Sequence, residues 1–178
     1  MEKLKPIDYE ILHKLIENSR RSDRELARIL RISQPTVTRR RNLLEKELID
    51  EYTAIPKWKN LGYEILAITF VKIRPEIASK ARYDDTRKRG LQWLMDQPKI
   101  IMAGACRGIG VDSFMISLHK DYADYDEFML NYRLELGDFI NDVQCVLVSL
   151  AGKELIKPLS LKYLTRLARE KPYKNSKP

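Results

Sequence analysis

Cysteine and histidine are scarce in this chain, two of each in 178 residues. Cys106 and Cys145 are too few for a disulfide framework or a zinc cluster. Both fall in strand-like apolar runs, where a thiol is expected to be buried. His13 lies in a helical stretch beside core positions and His119 closes a strand-like run; neither has a second histidine at ligand spacing or a cysteine nearby. No G-x-S-x-G nucleophile motif occurs. Gly108-Ile109-Gly110 joins two strand-like runs rather than opening a helix, so it is no nucleotide fingerprint. Asp84-Asp85 and Asp121, Asp124 and Asp126 fall on helix surfaces or at a helix start, where acids suit the dipole. The expectation is a protein that is no enzyme and needs no cofactor or metal. Long apolar runs are also missing. None could span a bilayer, and the N-terminal residues lack a signal peptide's apolar stretch. A soluble, cytoplasmic protein without a membrane partner is expected.

Charge is present and uneven. The net charge is +8. Residues 1–60 carry 14 Lys+Arg against 10 Asp+Glu (14 − 10 = +4), residues 61–150 carry 11 against 13 (−2), and residues 151–178 carry 8 against 2 (+6). Basic ends around a near-neutral middle fit a polyanion partner.

The most informative stretch is Arg31-Ile32-Ser33-Gln34-Pro35-Thr36-Val37-Thr38-Arg39-Arg40-Arg41. Ser33 is suited to cap a helix, and Pro35 falls in its first turn, where a missing N–H costs little. The helix should run to about Glu47, with Val37, Leu44 and Leu48 inward. Gln34, Thr36, Thr38 and Arg39 should face out at its start, where amide and guanidinium groups can read base edges and hydroxyls can grip phosphates. Arg40 and Arg41 should turn toward the DNA backbone or the core edge, Arg41 snorkelling to a phosphate. Upstream, Ile7, Ile11, Leu12, Leu15 and Ile16 mark an amphipathic helix ending near Asn18. Ser22-Asp23-Arg24-Glu25 is a capping box for a short second helix. Helix, short helix, tight turn and basic helix form a helix-turn-helix layout. Ile49 to Pro56 should form a strand or wing leading into a linker.

Ile7-Asp8-x-x-Ile11-Leu12, Glu25-Leu26-Ala27, Ser33-x-x-Thr36-Val37-x-Arg39-Arg40 and Leu61-Gly62-Tyr63 resemble the Lrp/AsnC (feast/famine) transcription regulators. Arg31 stands where that family usually has a turn glycine, Arg41 where an apolar residue is usual, and Leu48 replaces a frequent glycine. The resemblance implies a DNA-binding head whose candidate contacts are Ser33, Gln34, Thr36, Thr38, Arg39, Arg40 and Arg41.

Residues 61–150 repeat strand and helix patterns. Glu64 to Ile73 reads as a buried strand ended by Pro75. Residues 76–95 read as a surface helix weakened by Gly90. Lys99 to Cys106 and Val111 to His119 form a hairpin, with Phe114, Ile116 and Leu118 on one face and Ser113 and Ser117 on the other. A second helix from Asp121 to about Leu136 presents Ala123, Phe128, Tyr132 and Leu136, with Gly137 as its stop. Gln144 to Leu150 is the last strand. This βαββαβ sequence is the ferredoxin-like pattern, with sheet order 4-1-3-2. That order puts Cys106 and Cys145 at opposite edges, beyond disulfide reach.

The fold class is therefore α+β: a winged helix-turn-helix at 1–60, a ferredoxin-like domain at 61–152, and a C-terminal helix with a basic tail at 153–178. Ser160 should cap that helix through about Arg169. In the resembled family the second domain (a RAM-type domain) senses effectors and oligomerises. A glycine-containing segment between its strands 2 and 3, followed by an aspartate, shapes an amino-acid site between subunits. The candidates here are Arg107, Gly108, Gly110 and Asp112. Gly108 stands four residues before Asp112 and Gly110 two, against a usual three; the same glycines also suit a hairpin that needs positive φ. The partners implied are double-stranded DNA, a homodimer or higher homo-oligomer, and an amino acid or other small metabolite. Two alternatives stay open. Some tetrapyrrole-decarboxylating enzymes resemble this two-domain build and would yield a tetrapyrrole-binding preparation. A sensor or scaffold without DNA binding would show no salt-sensitive DNA affinity.

Overall fold

Ser22, Ser33 and Asp121 each cap a helix start with the side chain. A computed structural model describes residues 3–78, 80–152 and 155–165. The chain divides into two compact units, Met1–Ile55 with Pro158–Pro178, and Pro56–Lys157.

In the first unit, α1 spans Pro6–Glu17, α2 Asp23–Leu30 and α3 Gln34–Glu47. The Ser22 box is complete: Ser22 Oγ accepts from the Glu25 N–H at 3.2 Å, and Glu25 Oε2 accepts from the Ser22 N–H at 2.8 Å. Arg31 ends α2 in the left-handed region (φ 55°), as the turn requires and as L-residues rarely do. Ile11, Leu15, Leu26, Ala27, Val37 and Leu44 form the core of this three-helix unit. Leu48 is not inward as its spacing suggested; it is 43% exposed. The helix stops at Glu47, so helical spacing no longer applies, and Ile49 packs against the core instead. Residues 49–57 form no strand, so the segment expected as a strand or wing is irregular.

In the second unit, β1 (Ile65–Ile73), α4 (Lys80–Asp96), β2 (Ile100–Gly108), β3 (Val111–His119), α5 (Tyr122–Leu136) and β4 (Ile140–Ser149) follow in order. All strand pairs are antiparallel and the sheet order is β2-β3-β1-β4, as the topology predicts. Ala67, Val71 and Met115 pack under Tyr125, Phe128, Met129, Tyr132 and Leu136 of α5, joined by Trp93 and Leu94 of α4. Ala123 is exposed; the inward stripe begins at Tyr125. Gly137 ends α5 with φ −58°, not in a left-handed cap; a side chain there would collide with the Arg133 carbonyl.

The other sheet face pairs Leu66, Ile68 and Phe70 with Leu118, Ile116 and Phe114 on β3 and with Val148, Val146 and Gln144 on β4. The helices leave this face largely open: Val146 is 53% and Met102 56% exposed. Both cysteines are free and neither is buried, against expectation, because β2 and β4 are the sheet's edges. Ser160 caps only a 3-10 turn, Leu161–Tyr163, with its side chain accepting from the Lys162 N–H. The remainder of the expected C-terminal helix and the basic tail lie outside the described residues. Among the described residues no helix is long and apolar enough to cross a membrane.

Candidate nucleic-acid interface

The start of α3 is built by Ser33 and Thr36. Ser33 Oγ accepts from the Thr36 N–H at 3.4 Å and lies 2.8 Å from Thr36 Oγ1. These two hydroxyls hold the helix end as well as facing outward. Past them, Gln34, Pro35, Thr38, Arg39 and Asn42 line an open cleft of about 620 Å³. Steps of three and four residues place them in one stripe along the helix. An amide, a hydroxyl, a guanidinium and a second amide on one helix face are the groups that read base edges in a major groove. The helix N-terminus adds a partial positive charge that favours phosphate.

Arg40 and Arg41 are not part of that face. Arg40 is 2% exposed, and its NH1 lies 3.5 Å from Oδ2 of Asp8, which is fully buried on α1. Asp8 Oδ2 also accepts the Lys5 N–H at 2.6 Å. One residue on, the helix turns Arg41 to another side. Its NH1 donates to Asp23 Oδ1 at 3.0 Å and to the Arg21 carbonyl at 3.1 Å, and its Nε to Glu45 Oε1 at 3.2 Å. The guanidinium also sits 5.5 Å from the Tyr52 ring centroid. Arg40 is thus enclosed in the core and Arg41 is tied into a side-chain network, so neither lies on the outward stripe.

Asn42 was missed by sequence reasoning, although carrying the Gln34–Thr38 step of four one turn further would have found it. Asp23 and Tyr52 carried no signal, since they meet α3 only through the folded chain.

In the second unit the predicted hairpin is present. Gly108, Ile109 and Gly110 all have positive φ (131°, 45° and 77°). Ile109 and Gly110 are the two central residues of the turn, with Gly108 paired to Val111. Arg107 and Asp112 are exposed, and Asp112 Oδ2 accepts the Ile73 N–H at 2.8 Å, tying the hairpin to the end of β1. The structure therefore brings Asp112, Gly108 and Gly110 together at one end of the sheet. Behind the sheet, His119 is fully buried between Tyr125 and Phe128, with Nε2 2.8 Å from Ser117 Oγ.

Residues 6–45 match the AsnC-type helix-turn-helix domain. An uncharacterized HTH-type transcriptional regulator of Pyrococcus furiosus is 30% identical over 133 residues, 72% of this chain and 80% of that protein. The chain belongs to the Lrp/AsnC family of helix-turn-helix transcription regulators. The HTH-type transcriptional regulator Ptr1 of Methanocaldococcus jannaschii is 44% identical over 70 residues; the match covers 39% of this chain and about half of that relative, 47%. A transcriptional regulator of Neisseria meningitidis, solved as its L-Met complex, shares the fold with a TM-score of 0.74 at 24% identity, over 91% of this chain and 99% of that one. An AsnC family regulator from Agrobacterium tumefaciens gives 0.73 at 21% identity, over 90% of this chain and 99% of its own. In this Lrp/AsnC regulator, α2, the left-handed turn at Arg31 and α3 make up the helix-turn-helix.

Proposed function

We propose that this regulator reads operator DNA with Gln34, Thr38, Arg39 and Asn42, its helix start being held by Ser33 and Thr36. The observation that carries this reading is the outward polar stripe on α3, set against an inward side closed by Val37, Arg40 and Leu44. Residues 1–60 would be the DNA-binding domain with its linker, 61–152 the sensing and assembly domain, and 153–178 a C-terminal extension. Selected-oligonucleotide binding tests it. Arg39→Ala should lose about 1–3 kcal/mol and relax preference at one base position. An Arg39→Ala variant that keeps the wild-type preference at every position would refute the assignment.

The unit of function is a homodimer or a higher homo-oligomer. Supporting this is the apolar sheet face of Ile68, Phe70, Phe114, Ile116 and Val146, which the helices leave open; apolar patches of this kind mark contact surfaces. Two heads on one dimer fit two half-sites about one helical turn apart.

The effector is an amino acid bound at Arg107, Gly108, Gly110 and Asp112. Backbone N–H groups at a positive-φ turn can hold a carboxylate, Arg107 can pair with it, and Asp112 can receive an ammonium. The structural neighbour from Neisseria meningitidis was solved with L-Met, which supports the ligand class. Amino acids should shift melting temperature and operator affinity together, because an effector acts only through unequal affinity for two states. Arg107→Ala and Asp112→Asn should remove both shifts; a hit unchanged by both variants would place the site elsewhere.

A further inference from the structure

Asp23 opens α2, yet its carboxylate stands between two side chains of α3. Thr38 Oγ1 donates to Asp23 Oδ2 at 2.6 Å, and Arg41 NH1 donates to Asp23 Oδ1 at 3.0 Å. Arg41 is in turn anchored by the Arg21 carbonyl, Glu45 and Tyr52. The carboxylate is thus held from both oxygens, and its side chain is only 20% exposed. Burial disfavours its charge, but the hydrogen bonds from Thr38 and Arg41 outweigh that and hold the carboxyl below its usual range. At neutral pH it is an acceptor only.

A hydroxyl has one proton to give. Thr38 Oγ1 has a second acceptor in reach, the Gln34 carbonyl at 3.2 Å. That contact is longer and neutral, and a bond to a carboxylate is roughly twice as strong. The proton goes to Asp23.

We propose that Asp23 is a specificity-determining positioning residue: clamped by Arg41, it takes the Thr38 proton and leaves that hydroxyl facing DNA as an acceptor beside its methyl group. The inference rests on α3 being the operator-reading helix. It assigns Thr38 a chemistry that its residue type alone does not. Phosphate oxygens only accept, so this hydroxyl cannot grip the backbone. In the major groove guanine presents only the acceptors N7 and O6, whereas adenine N6 and cytosine N4 donate and thymine offers a methyl group. Thr38 therefore favours adenine, cytosine or thymine at its position and excludes guanine. Arg41 is integral to this device, since without its charge Asp23 would be an uncompensated anion beside the DNA.

The test compares selected-oligonucleotide profiles of the full chain for the wild type, Thr38→Val, Asp23→Ala, Asp23→Asn and Thr38→Val/Asp23→Ala. Thr38→Val should change preference at one operator position and so locate it. Asp23→Ala leaves only the longer, neutral Gln34 carbonyl competing for the proton, so guanine at that same position should gain, by at most the roughly 5- to 150-fold of one base contact. Asp23→Asn keeps the side-chain shape and guards against loss of fold; with its carbonyl oxygen held by Arg41, its amide N–H faces Thr38 and donates, so the hydroxyl proton is released and preference should shift at the same position. In the Thr38→Val background Asp23→Ala should change nothing further there. A uniform loss of affinity with unchanged preference in both Asp23 variants, while Thr38→Val alters the profile, would overturn the proposal. A Thr38→Val profile equal to wild type at every position would also overturn it, because Thr38 would then read no base; the reading of α3 as the base-reading helix falls only if Arg39→Ala is silent as well.

Discussion

Replacing Arg40 should unfold the head rather than weaken its grip on phosphate. The guanidinium is 2% exposed and its NH1 lies 3.5 Å from a carboxylate that is fully buried. At that separation an effective dielectric near 20 gives about 4 to 5 kcal/mol of attraction. Removing one partner of a buried pair costs about 3–5 kcal/mol, because the other charge is left without compensation. A domain of this size holds roughly 3–8 kcal/mol in total, so Arg40→Ala removes most of it. The melting of the helical signal from the head should fall by more than about 10 °C, and operator binding should fail with it. Arg40→Met/Asp8→Leu, which removes both charges and keeps bulk, should recover much of the loss, since a buried pair exchanged for apolar side chains is often neutral. The assay is a circular-dichroism melt of the full chain beside a salt series of DNA affinity. An Arg40→Ala protein that melts like wild type but binds DNA with a shallower salt slope would refute the reasoning, because that is the behaviour of a phosphate contact.

Three further outcomes follow from the second unit. Burial pushes the His119 imidazole below its ordinary 6.5, with the Asp124 carboxylate opposing and Lys99 adding to the shift. Its unfolded form therefore takes a proton first, so its contribution to stability is present above pH 6.5 and is lost as pH falls below that toward the folded value. Melting temperature should drop across this window in wild type and much less in His119→Phe; equal slopes would show that another group titrates. Ile109 is a β-branched residue at φ 45°, a conformation costing roughly 1–2 kcal/mol, so Ile109→Asn should stabilise the turn by about 1 kcal/mol, measurable as a rise in denaturant midpoint; an unchanged or lower midpoint would show that the turn stores no strain. Val146→Asp on the open sheet face should convert the sedimenting species toward monomer, and an unchanged assembly would exclude that face as the interface.

Local rules were enough for much of this regulator. Ser22, Glu25, Ser33 and Pro35 fix where α2 and α3 begin, because capping is a matter of a few neighbouring residues. Alternation along Val111–His119 sorted its side chains into two faces, and the strand and helix sequence led to the observed sheet order. What alternation left open was which face the helices would cover. They cover the face of Met115, Ser117 and His119, where the two polar side chains, Ser117 and His119, bond each other. Three consecutive arginines posed the same kind of question. Successive helical residues point about 100° apart, so Arg39, Arg40 and Arg41 must face different ways, and their shared chemistry does not rank them. Tertiary structure ranked them. Asp8 on α1 drew Arg40 into the core, Asp23 and Tyr52 held Arg41 at the helix flank, and Arg39 was left on the side of Gln34, Thr38 and Asn42. A buried charge needs its counter-charge close by, and which counter-charge stands close by is settled only when the helices pack.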